Sequence, residues 1–257
     1  MAEVKTKPVV RRVHKKRVYG CFTVLVFIII LVILIVSGCN NGDEDKSRKN
    51  SPVDVKLTEA TTRQEKDDTF LVCIDPGHGG DDPGSYYGDR LEMTDNLRYA
   101  LCVYDELSKR GGIEVMITRT DSKKTLDSAD RAKMANDAGA DLFLALHRNY
   151  SDDSSANGIE VWTHNEPTAI DVNLGYKLIG KLAQVGIQSD RSVHSGYTNE
   201  KQENFMINEY TNMTSCILEL GFISNDEDNE LFDKHYKEYS VAIADAVEEM
   251  RRDFFDD

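Results

Sequence analysis

The stretch 70–257 predicts an α/β domain: a mostly parallel or mixed central sheet with helices on both faces. Two observations carry this. Short apolar runs typical of strands alternate with segments of helical periodicity along the whole stretch. Several of those runs, LFLAL (142–146) above all, have no polar face, as expected of strands covered on both sides. No internal repeat appears, and 188 residues suit one domain.

The elements follow in order. FLVCID (70–75) is the first strand. Thr94 is a candidate cap for a helix with Leu97, Leu101, Tyr104 and Leu107 on one face, ended by Gly111 and Gly112. IEVMIT (113–118) is a strand, and 127–138 is a helix with Ala132, Ala135 and Ala138 at helical spacing before Gly139. DLFLALH (141–147) and GIEVWTH (158–164) are strands. Ile170, Leu174, Leu178 and Leu182 recur every four residues along another helix. SCILELGF (215–222) is the last strand, and the final helix carries Tyr239, Ile243, Val247 and Met250.

The chain before residue 70 has a different character. Residues 1–20 carry seven Lys/Arg against one acid, and residues 21–40 carry no charge. The apolar run 22–38 approaches the length of a spanning helix, roughly 17–25 residues. Its basic flank (Arg11, Arg12, Lys15, Lys16, Arg17) belongs on the cytoplasmic side, which sends the rest of the chain outside. We therefore expect a basic cytoplasmic segment (1–20), a transmembrane signal anchor or lipoprotein signal (21–38), a polar linker (39–69) and the domain at 70–257. VSGC (36–39) resembles a lipobox, so lipid anchoring at Cys39 is the alternative to a spanning helix. The expected location is the bacterial cell membrane, with the domain outside.

From residue 41 onward, 24 bases face 44 acids, a net of −20. That excludes a nucleic-acid binder, which needs a basic footprint. Cys73, Cys102 and Cys216 lie in apolar or helical runs, and no CxxC pair exists. They read as small buried hydrophobes.

In open α/β sheets, sites lie at the carboxyl ends of strands. Here the first strand runs into DPGHGG (75–80), the central one ends in His147, and the last carries Glu219 just before Gly221. DPGHGG lacks the Lys-Ser/Thr of a P-loop and the spacing of a dinucleotide fingerprint. A buried carboxylate is costly unless paired or metal-bound. Histidines and acids converging at one sheet edge suggest a metal site, although each alone could be an ordinary structural group.

These residues carry a resemblance. IDPGHGGDDPGS (74–85), LEMTDNL (91–97), ADLFLALHRNYSDDSSANGIEV (140–161) and CILELGFISNDED (216–228) resemble, in order, the motifs of the zinc-dependent N-acetylmuramoyl-L-alanine amidases, amidase type 3. RAKMAND (131–137) resembles the family's helix before the central strand. The resemblance implies Zn2+ as cofactor, with His78, Glu92 and His147 as its ligands and Glu219 as the catalytic residue. It implies peptidoglycan as substrate, cut between N-acetylmuramic acid and L-alanine. Met93, Thr94 and Thr214 depart from the family pattern, which touches substrate contacts more than catalysis. Only ten residues separate His147 from Gly158, so no site-blocking helix is expected there.

Two histidines and one carboxylate leave zinc an open position for water. Glu219 would serve that water as general base. Asp75 could orient a ligand or simply turn the strand into its loop. His164, His194, Trp162, Tyr86 and Tyr87 could touch substrate, and Arg131 could bind a carboxylate or form a structural ion pair. The alternatives are a catalytically silent, membrane-tethered wall-binding protein and a zinc peptidase with another substrate. No residue pattern points to a protein regulator.

Overall fold

The computed structural model describes residues 69–197 and 203–256. In chain order the elements are β1 (Phe70–Pro76), β2 (Tyr86–Tyr87), β3 (Arg90–Leu91), α1 (Glu92–Leu107), β4 (Ile113–Ile117), α2 (Ser128–Ala138) and β5 (Leu142–Asn149). There follow β6 (Ile159–Thr163), α3 (Ala169–Val185), β7 (Asp190–Ser195), α4 (Met206–Tyr210), β8 (Thr214–Phe222) and α5 (Asp226–Asp256).

Six strands form one sheet in the order β4-β1-β5-β8-β6-β7, and β2 and β3 form a small hairpin. β1 pairs in parallel with β4 and β5, and β5 with β8. β6 and β7 are parallel to each other, but β6 runs antiparallel to β8. The reversal has a cause in chain length. A parallel return needs a crossover of roughly a dozen residues or more. Only residues 150–158 join β5 to β6, and they form turns without a helix.

The two faces of the sheet are covered unequally. Val72, Ile74, Leu144, Leu146 and Leu218 are fully buried on the face packed by α1, α3 and α5. On the other face, Cys73, Phe143, Ala145 and Ile217 pack against Ala132 and Ala135 of α2 and Ile207 of α4. Those two helices have only 11 and 5 residues. They cover the middle of the sheet and leave His147 and Glu219, at the strand ends, partly exposed.

Local signals explain most boundaries. Asp127 caps α2 by accepting from Asp130 N at 2.8 Å, and Gly139 ends it at φ 65°. Thr168 and Asp171 form a capping box on α3. Leu174, Leu178 and Leu182 are fully buried, while Ile170, expected on the same face, is 39% exposed in the first turn. Tyr239, Ile243, Val247 and Met250 line the buried side of α5 as expected.

α1 departs from expectation. It starts at Glu92 rather than after Thr94, and no side chain caps it. Its buried face is Glu92, Asp95, Asn96, Tyr99, Ala100, Val103 and Leu107, whereas Leu97, Leu101 and Tyr104 are only partly covered. The helix is rotated by the polar side chains of its first turn, which point into the site described below. β7 and α4 occupy stretches without strong apolar periodicity, so sequence pattern did not reveal them.

Among the described residues no helix is long and apolar enough to cross a membrane. The expected anchor (21–38), and the expected linker except Thr69, lie outside the described residues.

Candidate metal centre

Three distant segments converge beyond the carboxyl end of β1. His78 lies in the loop after β1, Glu92 opens α1, and His147 stands on β5. One donor atom from each lies within 4.8 Å of the other two. His147 Nδ1 is 2.9 Å and His78 Nε2 3.2 Å from the same Glu92 oxygen. The imidazole rings meet edge to face at 4.9 Å.

The surroundings hold these groups in place. His78 has a left-handed backbone, φ 63°, a conformation that costs a non-glycine residue and concentrates at functional sites. Asp82 Oδ2 lies 2.8 Å from His78 Nδ1, which turns the other ring nitrogen toward Glu92. Glu92 Oε2 accepts from Ser85 N at 2.8 Å, and Oε1 accepts from Asn96 Nδ2 at 3.3 Å. Tyr99 donates its hydroxyl to the His147 carbonyl at 3.1 Å. Arg119 donates to the carbonyls of Pro76 at 2.9 Å, Gly77 at 2.8 Å and Met93 at 2.9 Å, tying the loop to α1. A Cβ at Gly77 would run into the His147 ring, and one at Gly84 would stand 2.6 Å from both Glu92 Oε2 and His78 Cδ2.

This donor set suits a divalent cation such as zinc. Two imidazoles and one carboxylate are a catalytic zinc ligand set, and the two histidine–Glu92 separations, 2.9 and 3.2 Å, are close to the roughly 3.3 Å edge of a tetrahedron with 2.0–2.2 Å bonds. A histidine whose second nitrogen is held by a carboxylate, as Asp82 holds His78, is the usual outer support of such a ligand. The ionisation balance agrees. Burial alone would raise Glu92, but hydrogen bonds from His147 and His78, and their charges, hold it well below the usual carboxylate range. Burial alone would lower His78, but Glu92 and Asp82 raise it.

Glu219 stands beside this cluster. It is the register partner of His147 across β5 and β8, so both side chains share one face. Its Oε2 is buried and has no hydrogen-bond partner among the described residues. Burial, then the charges of Glu92 and Glu160, push its carboxyl well above the ordinary range, with Arg148 opposing. A carboxylate so placed is costly without a nearby positive charge, and a cation at His78, Glu92 and His147 would supply one.

Other candidates resolve differently. Asp75 is fully buried, accepts from Thr118 Oγ1 at 2.6 Å and pairs with Arg131 Nη1 at 2.6 Å. Both residues thus have the structural reading: the pair pins α2 to β1, and neither touches the cluster. His194 lies on β7, stacked on Trp162 at 4.6 Å. Trp162 packs against the core and donates Nε1 to Glu160 at 3.0 Å. His164 bonds to Asn204 at 2.9 Å, away from the cluster's partners. Tyr86 and Tyr87 are exposed on the hairpin. Cys73 and Cys216 are buried thiols, pushed upward by burial.

Three residues of the site had no clear sequence signal. Arg148 is fully buried and pairs with Asp95 at 2.8 Å. Asn96 reaches the Gly77 carbonyl at 3.3 Å. Glu160, buried opposite Glu219, bonds to Asn149, Trp162 and Arg191. A charged residue inside an apolar strand, as in GIEVW (158–162), was the one usable clue.

A family model described as N-acetylmuramoyl-L-alanine amidase matches residues 72–249. N-acetylmuramoyl-L-alanine amidase LytC of Bacillus subtilis is 34% identical over 158 residues, 61% of this chain and 30% of LytC. The probable cell wall amidase LytH of Staphylococcus aureus is 30% identical over 182 residues, 68% of this chain and 56% of LytH. The chain thus spans less than two thirds of either relative. Among solved structures, an N-acetylmuramoyl-L-alanine amidase from Clostridium difficile 630 superimposes with a TM-score of 0.63 at 27% identity, covering 74% of this chain and 98% of that one. The catalytic domain of CwlV, from Bacillus (Paenibacillus) polymyxa, gives a TM-score of 0.61 at 28% identity, covering 73% and 99%.

Proposed function

The chain belongs to the N-acetylmuramoyl-L-alanine amidase family, and we propose that it hydrolyses the amide joining N-acetylmuramic acid to the L-alanine of peptidoglycan stem peptides. The observation that carries this reading is the buried, unpartnered Glu219 Oε2 beside the His78–Glu92–His147 cluster. Those three residues would hold zinc. When bound, zinc would supply a water acidified to a pKa of roughly 7 and a positive charge for the scissile carbonyl oxygen.

The chain's own groups do the rest. Glu219 takes the proton of the attacking water and passes it to the alanine nitrogen as the C–N bond breaks. The products are a lactyl carboxylate and a free amino terminus. Asp82 keeps the His78 ring oriented, and Asn96, Ser85 and the Arg148 amide hold Glu92. Turns rather than a helix follow β5, which leaves His147 and Glu219 approachable.

We further propose that the domain works outside the bacterial membrane, tethered through 21–38 or lipid-anchored at Cys39. The basic flank and uncharged run of the sequence support this.

The test uses the purified chain in detergent on peptidoglycan, with and without chelator, followed by mass spectrometry of released fragments. We expect stem peptides beginning with alanine, lost with chelator and restored by zinc. In His78→Ala and His147→Ala the metal content should fall, and stoichiometric zinc in either variant would remove that residue from the ligand set. Intact peptidoglycan with zinc bound would refute the proposed substrate.

A further inference from the structure

The strands β5, β8, β6 and β7 are neighbours, and each contributes one polar side chain to a single line across the sheet. The line reads His147, Glu219, Glu160, Arg191. His147 faces Glu219 in register, Glu219 faces Glu160, and Arg191 Nε donates to Glu160 Oε2 at 2.8 Å. A one-residue bulge makes the last step possible. Ile159 pairs with Asp190, but Val161 pairs with Val193, so β7 has one residue more than β6 between these points. Ser192, with φ 78°, absorbs it. Arg191 therefore shares the face of Glu160, and His194 still shares the face of Trp162.

Glu160 is enclosed by donors. Its Oε1 accepts from Asn149 Nδ2 at 2.7 Å and from Trp162 Nε1 at 3.0 Å, and its Oε2 takes Arg191. Arg191 is held on its Nε edge by Glu160 and on its face by the Phe222 ring, 4.9 Å from the guanidinium carbon. Its side chain is nevertheless 40% exposed, and its two terminal nitrogens make no hydrogen bond or ion pair among the described residues. The other arginines near the site are committed. Arg119 binds backbone carbonyls, Arg131 binds Asp75, and Arg148 binds Asp95 and Asn229. Arg191, one strand beyond Glu219's partner Glu160, keeps a planar pair of donors open, unlike those three.

We propose that Arg191 is a specificity residue that receives a free carboxylate on the stem peptide, on the residue immediately after the alanine. The proposal rests on the amidase reading above. A guanidinium clamped on one edge presents its remaining donors in the fixed fork that matches a carboxylate. The spacing suits it. Neighbouring strands are about 4.8 Å apart, so Arg191 starts about 10 Å from Glu219 and reaches back toward Glu160. An extended peptide advances roughly 3.5 Å per residue, which puts that carboxylate about 7 Å from the scissile carbonyl. Glu160 acts through Arg191 as a positioning residue.

The experiment compares two N-acetylmuramoyl peptides that share the scissile amide and differ only at the residue after alanine, one with a free α-carboxylate and one with a carboxamide. The full chain should show kcat/KM about ten- to hundredfold higher for the carboxylate, the range set by a charge-assisted hydrogen-bond pair. In Arg191→Gln that ratio should collapse toward one, and Arg191→Lys should keep an intermediate ratio, because it restores charge without the fork. Loss of activity on both peptides with the ratio retained would make Arg191 merely structural and overturn the proposal. Equal cleavage of the two peptides by the unaltered chain would also overturn it. Cleavage of neither peptide by the unaltered chain, with zinc bound, would instead remove the amidase reading on which it rests.

Discussion

Glu219 is the residue whose placement is hardest to justify by stability alone. Its Oε2 is buried without a donor, and two other carboxylates, Glu92 and Glu160, crowd it. Under the proposed function such a group is retained for what it does to a proton. Glu219→Gln preserves shape but cannot accept one. We expect kcat to fall by about 10²- to 10⁴-fold. Metal content should stay unchanged, as measured by elemental analysis of the purified variant. Activity at the original level would remove Glu219 as general base. His78 and Glu92 entered through the family resemblance, which IDPGHGGDDPGS and LEMTDNL carry in two runs of adjacent residues. Glu160, Asn96 and Arg191 did not, since their roles depend on which strand or helix stands beside them.

At the scale of elements, α2 covers the face that carries the site, and one ion pair pins it there. Asp75 on β1 and Arg131 on α2 meet at 2.6 Å with almost no exposure. Removing one partner from such a buried pair leaves an uncompensated charge and costs about 3–5 kcal/mol. Arg131→Met should therefore lower the free energy of unfolding by about 3 kcal/mol or more, read from urea denaturation of the metal-loaded protein. A change within about 0.5 kcal/mol, the usual size for a surface substitution, would show the pair to be dispensable. The helices α2, α3 and α5 were legible from the helical spacing of their apolar residues. α1 was legible as a helix but not in its rotation. Its first turn buries Glu92, Asp95 and Asn96, and a pattern built on leucines assigns those residues to solvent.

For the whole molecule, the site makes stability depend on pH and metal together. In the metal-free protein Glu219 has its carboxyl pK raised by burial and by its neighbours' charges. The folded state then binds that proton more tightly than the unfolded chain, whose carboxyl titrates near 4.5. Stability from this group is present below that value and falls as pH rises above it. Glu92 has the opposite sign: its depressed value contributes stability at neutral pH that is lost on acidification. The two are separable by substitution. Metal-free Glu219→Gln should gain melting temperature relative to the unaltered chain, and the gain should widen as pH is raised from about 5 to 8. A difference independent of pH would contradict the raised value. Zinc should narrow the gap, since a cation beside Glu219 favours its ionised form, and should raise the melting temperature of both proteins by mass action.

The alternation of strands and helices and the acidic character of the domain can be read along the chain, and so can the motifs whose resemblance points to His78, Glu92, His147 and Glu219. These properties are local: periodicity, caps and short motifs are written within a few residues of where they act. The order of the strands, the antiparallel placement of β6 against β8, and the bulge at Ser192 emerge only when the chain folds. They set which residues become neighbours across the sheet, and cross-strand adjacency has no signature in linear spacing. The line from His147 through Glu219 and Glu160 to Arg191 joins four segments spread over residues 147–219, and only strand pairing brings them side by side.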